Sequence, residues 1–169
     1  MKQIVLLNPD GVSEEEVKSY RVREAARAVA VDGDGKIALL HVSKDGYYKL
    51  PGGGVESGED RQQTLRRECR EETGCDIQII GEVGSIVEYR RTQRLKQISY
   101  CFFAHVKGEK GDPQFTDEEV ERGFELKWLS YEEATRMMAE SSTIDDEGRV
   151  YIVPRDILFL KSAKDLIGN

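Results

Sequence analysis

The sequence predicts an α+β domain in which helices pack on the outside of a mixed sheet. Three observations support this prediction. Two apolar segments flank a glycine-containing turn at residues 32–35, a single charged helix follows them, and a segment with period-two alternation comes before further helix-like segments. The order of strands, one helix, more strands and then helices is typical of this fold class.

The length and charge of the chain limit what it can be. It has 169 residues, a formal net charge of −7, 38% apolar residues and 34% charged residues. This length suits one domain of about 100–200 residues, so we expect a single domain over residues 1–169. The apolar runs are too short for a membrane span or a secretory signal, and we expect a cytoplasmic protein. An excess of acids argues against a nucleic-acid polymer as partner, because a phosphate backbone favours Lys and Arg.

The first strands are predicted at residues 24–31 and 36–42. Both segments are apolar on both faces, and they flank Asp32-Gly33-Asp34-Gly35, whose glycines tolerate a positive φ. We therefore expect a hairpin of two buried strands.

The central helix is predicted from Asp60 to Thr73. Ser57 with Asp60 three residues later resembles a capping box, with Asp in place of the usual Glu. Gly74 stands where a left-handed C-terminal cap is needed. The sequence thus sets a boundary at each end of this helix.

A second group of strands and helices follows the central helix. Residues 98–106 alternate with period two and predict a strand, which pairs with a strand ending near Tyr89 through a basic turn. A short strand is predicted at residues 124–129. The Ser130-to-Glu133 capping box then opens a helix through Met138, and residues 154–167 have the spacing of a helix docked on one side.

Three carboxylates share one side of the central helix. At about 100° per residue, Glu68, Glu71 and Glu72 fall within a third of the helix circumference. Like charges at these spacings repel, so a divalent cation is a reasonable neutralising partner. Mg2+ prefers oxygen ligands and is often held by one or two carboxylates plus substrate phosphates. A solvated acidic helix face is the alternative.

The segment before this helix favours the metal interpretation. It reads Leu50-Pro51-Gly52-Gly53-Gly54-Val55-Glu56, and its glycines let the backbone approach another group closely. A peptide carbonyl from such a loop can join a metal shell. The segment lacks the Gly-Lys-Ser/Thr ending of a P-loop, and it does not match GxGxxG.

The spacing of these residues resembles the Nudix box, GX5EX7REUXEEXGU, where U is a bulky aliphatic residue. The box would cover residues 53–75, and all seven of its glycine and charged positions match. They are Gly53, Glu59, Arg67, Glu68, Glu71, Glu72 and Gly74. The departures are Cys69 and Cys75 at the two U positions, and they affect packing more than chemistry. The resemblance implies the Nudix fold, an α/β/α sandwich around a central mixed β-sheet.

The resemblance also implies a reaction and a set of roles. The reaction is hydrolysis of a diphosphate linked to another moiety, with Mg2+ as cofactor and Mn2+ as a possible substitute. The resemblance implies that Glu68, Glu72 and the carbonyl of Gly52 bind metal, and that Glu71 binds metal or activates water. Arg67 would orient the glutamates. Gly53, Glu59 and Gly74 would support the loop and the helix.

Outside the box, the sequence offers one acidic stretch and several bases and tyrosines as candidates. An acidic stretch at residues 117–121 precedes the strand at 124–129, and Glu121 is the candidate for an additional base or ligand. Arg90, Arg94, Tyr89 and Arg27 are candidates for binding the substrate, a small nucleoside diphosphate derivative.

Two other readings stay open at this point. One is a Nudix-like module that binds a nucleotide without cleaving it, although loss of box glutamates would be expected there. The other is a structural domain with an acidic helix. Nudix relatives are often dimers, so a homodimer is also an expectation.

Overall fold

A computed structural model of the chain describes residues 1–143 and 145–168. Ile144 and Asn169 belong to the predicted domain and lie outside the described residues. The described part forms a seven-stranded sheet in the order β1-β5-β6-β2-β3-β4, with β7 also paired to β3. The strands are β1 (Gln3–Leu7), β2 (Arg21–Val31), β3 (Ile37–Val42), β4 (Tyr47–Lys49), β5 (Asp76–Arg90), β6 (Leu95–Lys107) and β7 (Phe124–Leu129).

The helices lie between and after these strands. They are α1 (Glu14–Val17), α2 (Arg61–Thr73), α3 (Asp117–Glu121), α4 (Tyr131–Ala139), α5 (Val153–Ser162) and α6 (Lys164–Ile167). A π-helical turn, Gly148–Ile152, leads into α5. None of the helices in the described ranges has the length and apolar content needed to cross a membrane.

The two faces of β2 bury different side chains, and this alternation builds the layers. The alanines of one face, Ala26, Ala28 and Ala30, pack with Leu65 and Cys69 of α2. The other face contributes Val29 and Val31 to a cluster that includes Met138, Phe159 and Leu160 of α4 and α5. Helices therefore cover both faces, and the expected α/β/α sandwich with a central mixed sheet is confirmed.

The strand predictions hold, with longer boundaries than the sequence suggested. β2 and β3 form the predicted antiparallel connection at Val31 and Ile37. β5 and β6 pair in antiparallel fashion from Asp76–Lys107 to Arg90–Leu95, as predicted from the basic turn. β2 and β6 are parallel along the whole of β2, and this pair makes the sheet mixed.

Several local predictions need correction. The N-cap of α2 is Asp60, whose side chain accepts from the N–H groups of Gln62 and Gln63, so the predicted Ser57 box is wrong. Gln63 completes the box by accepting from the Asp60 N–H, because Gln serves at this position as well as Glu. The sequence analysis did not predict β1, which pairs in parallel with β5.

Two other helix caps agree with the sequence prediction. Gly74 has φ 66° and is the left-handed cap of α2, as predicted. A Cβ at this position would lie 2.4 Å from the Gly111 carbonyl, so the loop after β6 requires glycine there. Ser130 and Glu133 form the predicted capping box of α4. The helix predicted over residues 154–167 is divided into α5 and α6.

Candidate active site

Residues 51–55 form a loop, called the glycine loop below, that is hydrogen-bonded to β2 in the manner of a further strand. The Ala28 N–H donates to the Pro51 carbonyl at 3.0 Å, and the Ala26 N–H donates to the Gly53 carbonyl at 2.9 Å. At the far end the Val55 N–H donates to the Glu24 carbonyl at 3.0 Å. Because these bonds involve every second residue of the loop, they fix its distance from β2 and the orientation of its peptide groups.

Each of the three glycines is required by a different neighbour. A Cβ at Gly52, where φ is +130°, would lie 2.1 Å from the Ala26 carbonyl oxygen. A Cβ at Gly53 would lie 2.1 Å from Oε1 of Glu68, and one at Gly54 would lie 2.8 Å from Nη2 of Arg23. The loop therefore contacts β2, the α2 carboxylate and an arginine through positions that have no side chain.

Arg67 of α2 organises the glutamates around it. Its Nε and Nη2 donate to the two carboxylate oxygens of Glu59 at 2.8 and 2.9 Å, a bidentate pair. Its Nη1 donates to Glu68 at 2.8 Å and to Glu71 at 3.2 Å. The Glu59 pair is the largest cause of the raised pKa of Arg67, and the same contact lowers the pKa of Glu59 to about 2.

Glu72 packs against the glycine loop, and its side chain is only 2% exposed. Its Oε1 accepts from Nζ of Lys49 at 2.9 Å, and its Oε2 accepts from the Gly52 N–H at 2.5 Å. Burial raises the pKa of this carboxyl, and Lys49 with the Gly52 N–H opposes that rise. The buried carboxylate is thus held directly against the loop.

These groups line one cleft of about 480 Å3, a size typical of small-molecule sites. Its lining includes three acids, Glu56, Glu68 and Glu72, and two arginines, Arg23 and Arg27. The remaining lining residues are Lys49, Gly52, Gly53, Gly54, Val55 and Glu119.

The donor set of the cleft suits a hard divalent cation. Within residues 1–143 and 145–168, no three His, Cys, Asp or Glu side chains group as a preformed metal cage. Glu68 and Glu72 face the cleft together with the Gly52 peptide. Mg2+ is commonly held by one or two carboxylates and completed by substrate phosphates and water, so this set fits it. The Gly52 carbonyl accepts from Arg27, and its second lone pair remains for a cation.

The three box carboxylates are less alike than their helix positions suggested. Glu72 is buried and Glu68 has a side chain 15% exposed, whereas the Glu71 side chain is 46% exposed and does not line the cleft. Arg67 pairs with Glu68 and Glu71, and Lys49 pairs with Glu72. Protein cations therefore offset part of the repulsion between the three carboxylates, and Arg67 shares its single charge with Glu59 as well.

The predicted substrate-binding residues separate into two groups. Arg27 lines the cleft, and Arg90 lines a smaller cavity that shares Arg27 with it. Tyr89 instead packs with Val12, Val17 and Tyr20 near α1. Arg94 donates to the Ser19 hydroxyl at 2.9 Å, so the structure places it in the same region, outside the cleft lining.

The acidic stretch reaches the cleft through a different residue from the one the sequence suggested. Glu119 lines the cleft, and Glu121 at the end of α3 does not. Glu119 also accepts from the Thr116 N–H at 2.9 Å, as the third residue of the α3 capping box. A Thr-x-x-Glu spacing was present in the sequence and could have singled out Glu119.

Sequence reasoning missed two groups that position the loop. Lys49 precedes the Leu-Pro-Gly-Gly segment and pairs with Glu72, yet it belongs to no recognised motif. Asp156 of α5 is fully buried and accepts from the Leu50 N–H at 2.9 Å. The sequence carried no signal for this contact, because it joins residues that are 106 positions apart.

The comparisons with known proteins identify the family of the chain. A family model described as NUDIX domain matches residues 21–148. The ADP-ribose pyrophosphatase of Methanocaldococcus jannaschii is 35% identical over 104 residues, which cover 57% of this chain and 61% of that protein. The chain thus spans less than two thirds of this curated relative. The family match covers most of the chain, and the chain belongs to the Nudix family.

Solved structures share the fold. A NUDIX hydrolase from Nitrosomonas europaea superimposes with a TM-score of 0.66 at 19% identity, covering 86% of this chain and 90% of that chain. The E. coli ORF135 protein gives a TM-score of 0.57 at 25% identity, covering 88% and 93%. The sheet and flanking helices described above are therefore the Nudix fold.

The Glu59–Arg67 pair predicts a pH dependence of stability. Because the folded pKa of Glu59 is depressed to about 2 from 4.5, the pair stabilises the fold above the unfolded value. That stability is lost as the pH falls from about 4.5 towards 2. We expect the Glu59→Gln variant to lose less unfolding free energy than the native chain between about pH 5 and pH 2.5. Urea denaturation at a series of pH values measures this.

A matched control is Glu118→Gln, which removes an exposed carboxylate outside the Arg67 cluster. It should lose stability in parallel with the native chain. Parallel curves for Glu59→Gln as well would show that the pair does not contribute.

Proposed function

We propose that this protein hydrolyses a pyrophosphate bond in a nucleoside diphosphate linked to another moiety, with Mg2+ as cofactor. The single observation that supports this most is the cleft in which two box carboxylates and the Gly52 peptide face two arginines. The carboxylates of such a cleft can hold a cation, and its arginines can bind phosphate oxygens. The named activity of the Methanocaldococcus jannaschii relative is of the same class.

In this proposal the metal is held by Glu68, Glu72 and the carbonyl of Gly52, and Mn2+ can substitute for Mg2+. When bound, the metal neutralises charge on the bridging phosphates and makes a water more acidic. Lys49 and the Gly52 N–H hold the Glu72 carboxylate in place through one contact to each of its oxygens. Arg23 and Arg27, which line the same cleft, would contact phosphate oxygens of the substrate.

Arg67 acts by positioning in this scheme. Its bidentate contact with Glu59 fixes the guanidinium, and its remaining N–H groups orient Glu68 and Glu71. Glu71 is assigned to metal binding or to accepting a proton from water. Because its side chain is half exposed and bonded only through Arg67, it has freedom to turn towards a bound substrate.

An acid outside the box is assigned from the cleft lining. Glu119 of α3 lines the cleft, and we favour it over the sequence candidate Glu121 as the additional base or ligand. Among the described residues its carboxylate accepts hydrogen bonds only from Thr116, both at Oε2, so Oε1 is available. A small nucleotide derivative is the partner that this cleft suits, and a binding module without catalysis is disfavoured because every box glutamate is retained.

A metal-dependent stability change tests the metal site. The native chain should melt at a higher temperature with Mg2+, because a ligand that binds only the folded state stabilises it. The Glu68→Gln variant should lose most of this shift and lower kcat by at least about 100-fold, as removing a metal-bound carboxylate does to transition-state charge stabilisation. Thermal melting with Mg2+ and with chelator, together with product assays, provides both readouts.

Arg66 provides a control for Glu68→Gln within the same helix. Glu68 donates no hydrogen bond, and Gln preserves its shape, so the fold should remain. Arg66→Gln removes an exposed charge from the opposite side of α2 and should retain both the shift and the activity. Equal Mg2+ shifts in the native chain and in Glu68→Gln would remove Glu68 from the metal site.

A second pair of variants assigns the acid outside the box. Gln at position 119 preserves the α3 capping box, so Glu119→Gln should fold normally while lowering kcat by at least about 10-fold. Glu121→Gln should lower it less, because Glu121 does not line the cleft. Steady-state kinetics with saturating Mg2+ measures this. A larger loss in Glu121→Gln would return the role to Glu121.

A further inference from the structure

A second, smaller cavity lies next to the cleft, on the side of the glycine loop towards α5. Its volume is about 140 Å3, and it shares Arg23, Arg27 and Lys49 with the cleft. Six of its lining residues are bases: Arg23, Arg27, Lys49, Arg90, Arg122 and Arg155. The one acid in its lining is Glu147.

Four of these bases are already neutralised by carboxylates. Lys49 pairs with Glu72 at 2.9 Å, and Arg122 donates to Asp45 at 2.9 Å. Arg90 and Arg155 share the fully buried carboxylate of Glu88. Glu147 is a further partner of Arg90, and Asp156 is a further partner of Arg155. These contacts account for the acids near the cavity.

Arg23 and Arg27 differ from the other four. In the described part of the chain neither has an ion pair with a carboxylate. Arg23 donates to the amide oxygen of Gln97 at 3.1 Å, and Arg27 donates to the Gly52 carbonyl. Nε of Arg27 is buried and has no hydrogen-bond partner. Arg23 and Arg27, which line both the cleft and the cavity, thus donate hydrogen bonds only to neutral oxygens.

For Arg27 this arrangement is costly without an anion. Arg27 is only 7% exposed, and its buried Nε has no hydrogen-bond partner among the described residues. A buried charge normally has a partner, so we expect a ligand to supply it. Arg23 is exposed and lines the same cavity, so its guanidinium is accessible to the same ligand.

The geometry points to a phosphoryl group as that ligand. Arginine binds phosphate oxygens through two parallel N–H groups. A volume of about 140 Å3 lies well below the roughly 300–1,000 Å3 of pockets for larger ligands. The cavity therefore admits a small anion and excludes a nucleoside.

From these observations we infer that the cavity between Arg23, Arg27 and Arg90 binds a phosphoryl group of the substrate beyond the diphosphate that is cleaved. This inference rests on the proposed function, because the cleft that shares Arg23 and Arg27 holds that diphosphate. It defines the substrate class as a nucleoside triphosphate, or a nucleoside diphosphate whose second moiety carries a phosphate. Such a substrate is preferred over ADP-ribose, whose second moiety ends in a neutral sugar.

The pocket can be tested without turnover. Inorganic phosphate is titrated by calorimetry into the full chain in the presence of chelator, at constant ionic strength. We expect Arg23→Gln to weaken phosphate binding about 10- to 100-fold, the effect of losing a hydrogen bond between charged groups. Arg66→Gln makes the same change in net charge on an exposed helix face and should stay within about twofold of the native chain. Equal affinities in all three proteins, or no binding to the native chain, would overturn the pocket.

A conservative variant guards against a folding defect in Arg23→Gln. Arg23→Lys keeps the charge and loses the planar fork, so it should bind phosphate with an affinity between those of the native chain and Arg23→Gln. Affinity in Arg23→Lys equal to that of the native chain would contradict two-point recognition by this arginine.

Substrate competition tests the assignment of the substrate class. The native chain should have a higher kcat/KM for a nucleoside triphosphate than for ADP-ribose. In Arg23→Gln the loss for the triphosphate should exceed the loss for ADP-ribose by at least about 10-fold. Equal losses would overturn the specificity. Absence of hydrolysis of every diphosphate would overturn the proposed function, while the phosphate titration would still decide the pocket.

Discussion

The site depends on the close packing of the glycine loop against β2. Pro51 to Gly54 runs along the strand through alternating backbone bonds, and the absence of Cβ atoms lets it touch β2, Glu68 and Arg23 at once. If the loop stood further out, the Gly52 N–H could not reach Glu72. This close approach brings Glu68, Glu72 and Arg23 together around one cleft.

The charged groups of the site are held in place by ion pairs and hydrogen bonds within the chain. Arg67 and Lys49 hold the box glutamates in defined orientations, and the buried contacts of Glu88 and Asp156 hold Arg90 and Arg155 on the other side of the loop. Preorganised charges of this kind are effective in catalysis because they need little rearrangement as charge develops. Removing one partner of a buried pair would leave the other uncompensated, so these networks also fix the local structure.

The sequence predicted the parts of the fold whose signals are local. The caps at Gly74 and Ser130 and the alternation in β6 are set by residues close together in sequence, and each was confirmed as a structural feature. The fold itself was predicted from the family resemblance, and the structure confirms it. The N-cap at Asp60 was misassigned because Ser57 and Asp60 offer competing capping signals three residues apart.

The contacts that sequence reasoning missed join distant segments. The contact of Asp156 with Leu50 depends on how α5 meets the loop, which no local pattern encodes. The basic run after Tyr89 illustrates the same limit. Its residues looked equivalent in the sequence, yet Arg90 is buried beside the cavity and Arg94 lies near α1.

The most direct test of the account is the position of a bound metal. Mn2+ gives an anomalous diffraction signal, so a crystal soaked with Mn2+ locates the ion without reference to activity. The account predicts one ion in contact with Glu68, Glu72 and the carbonyl oxygen of Gly52, with Lys49 and Arg67 still holding their carboxylates. An ion bound elsewhere, with both glutamates engaged only by Lys49 and Arg67, would contradict it.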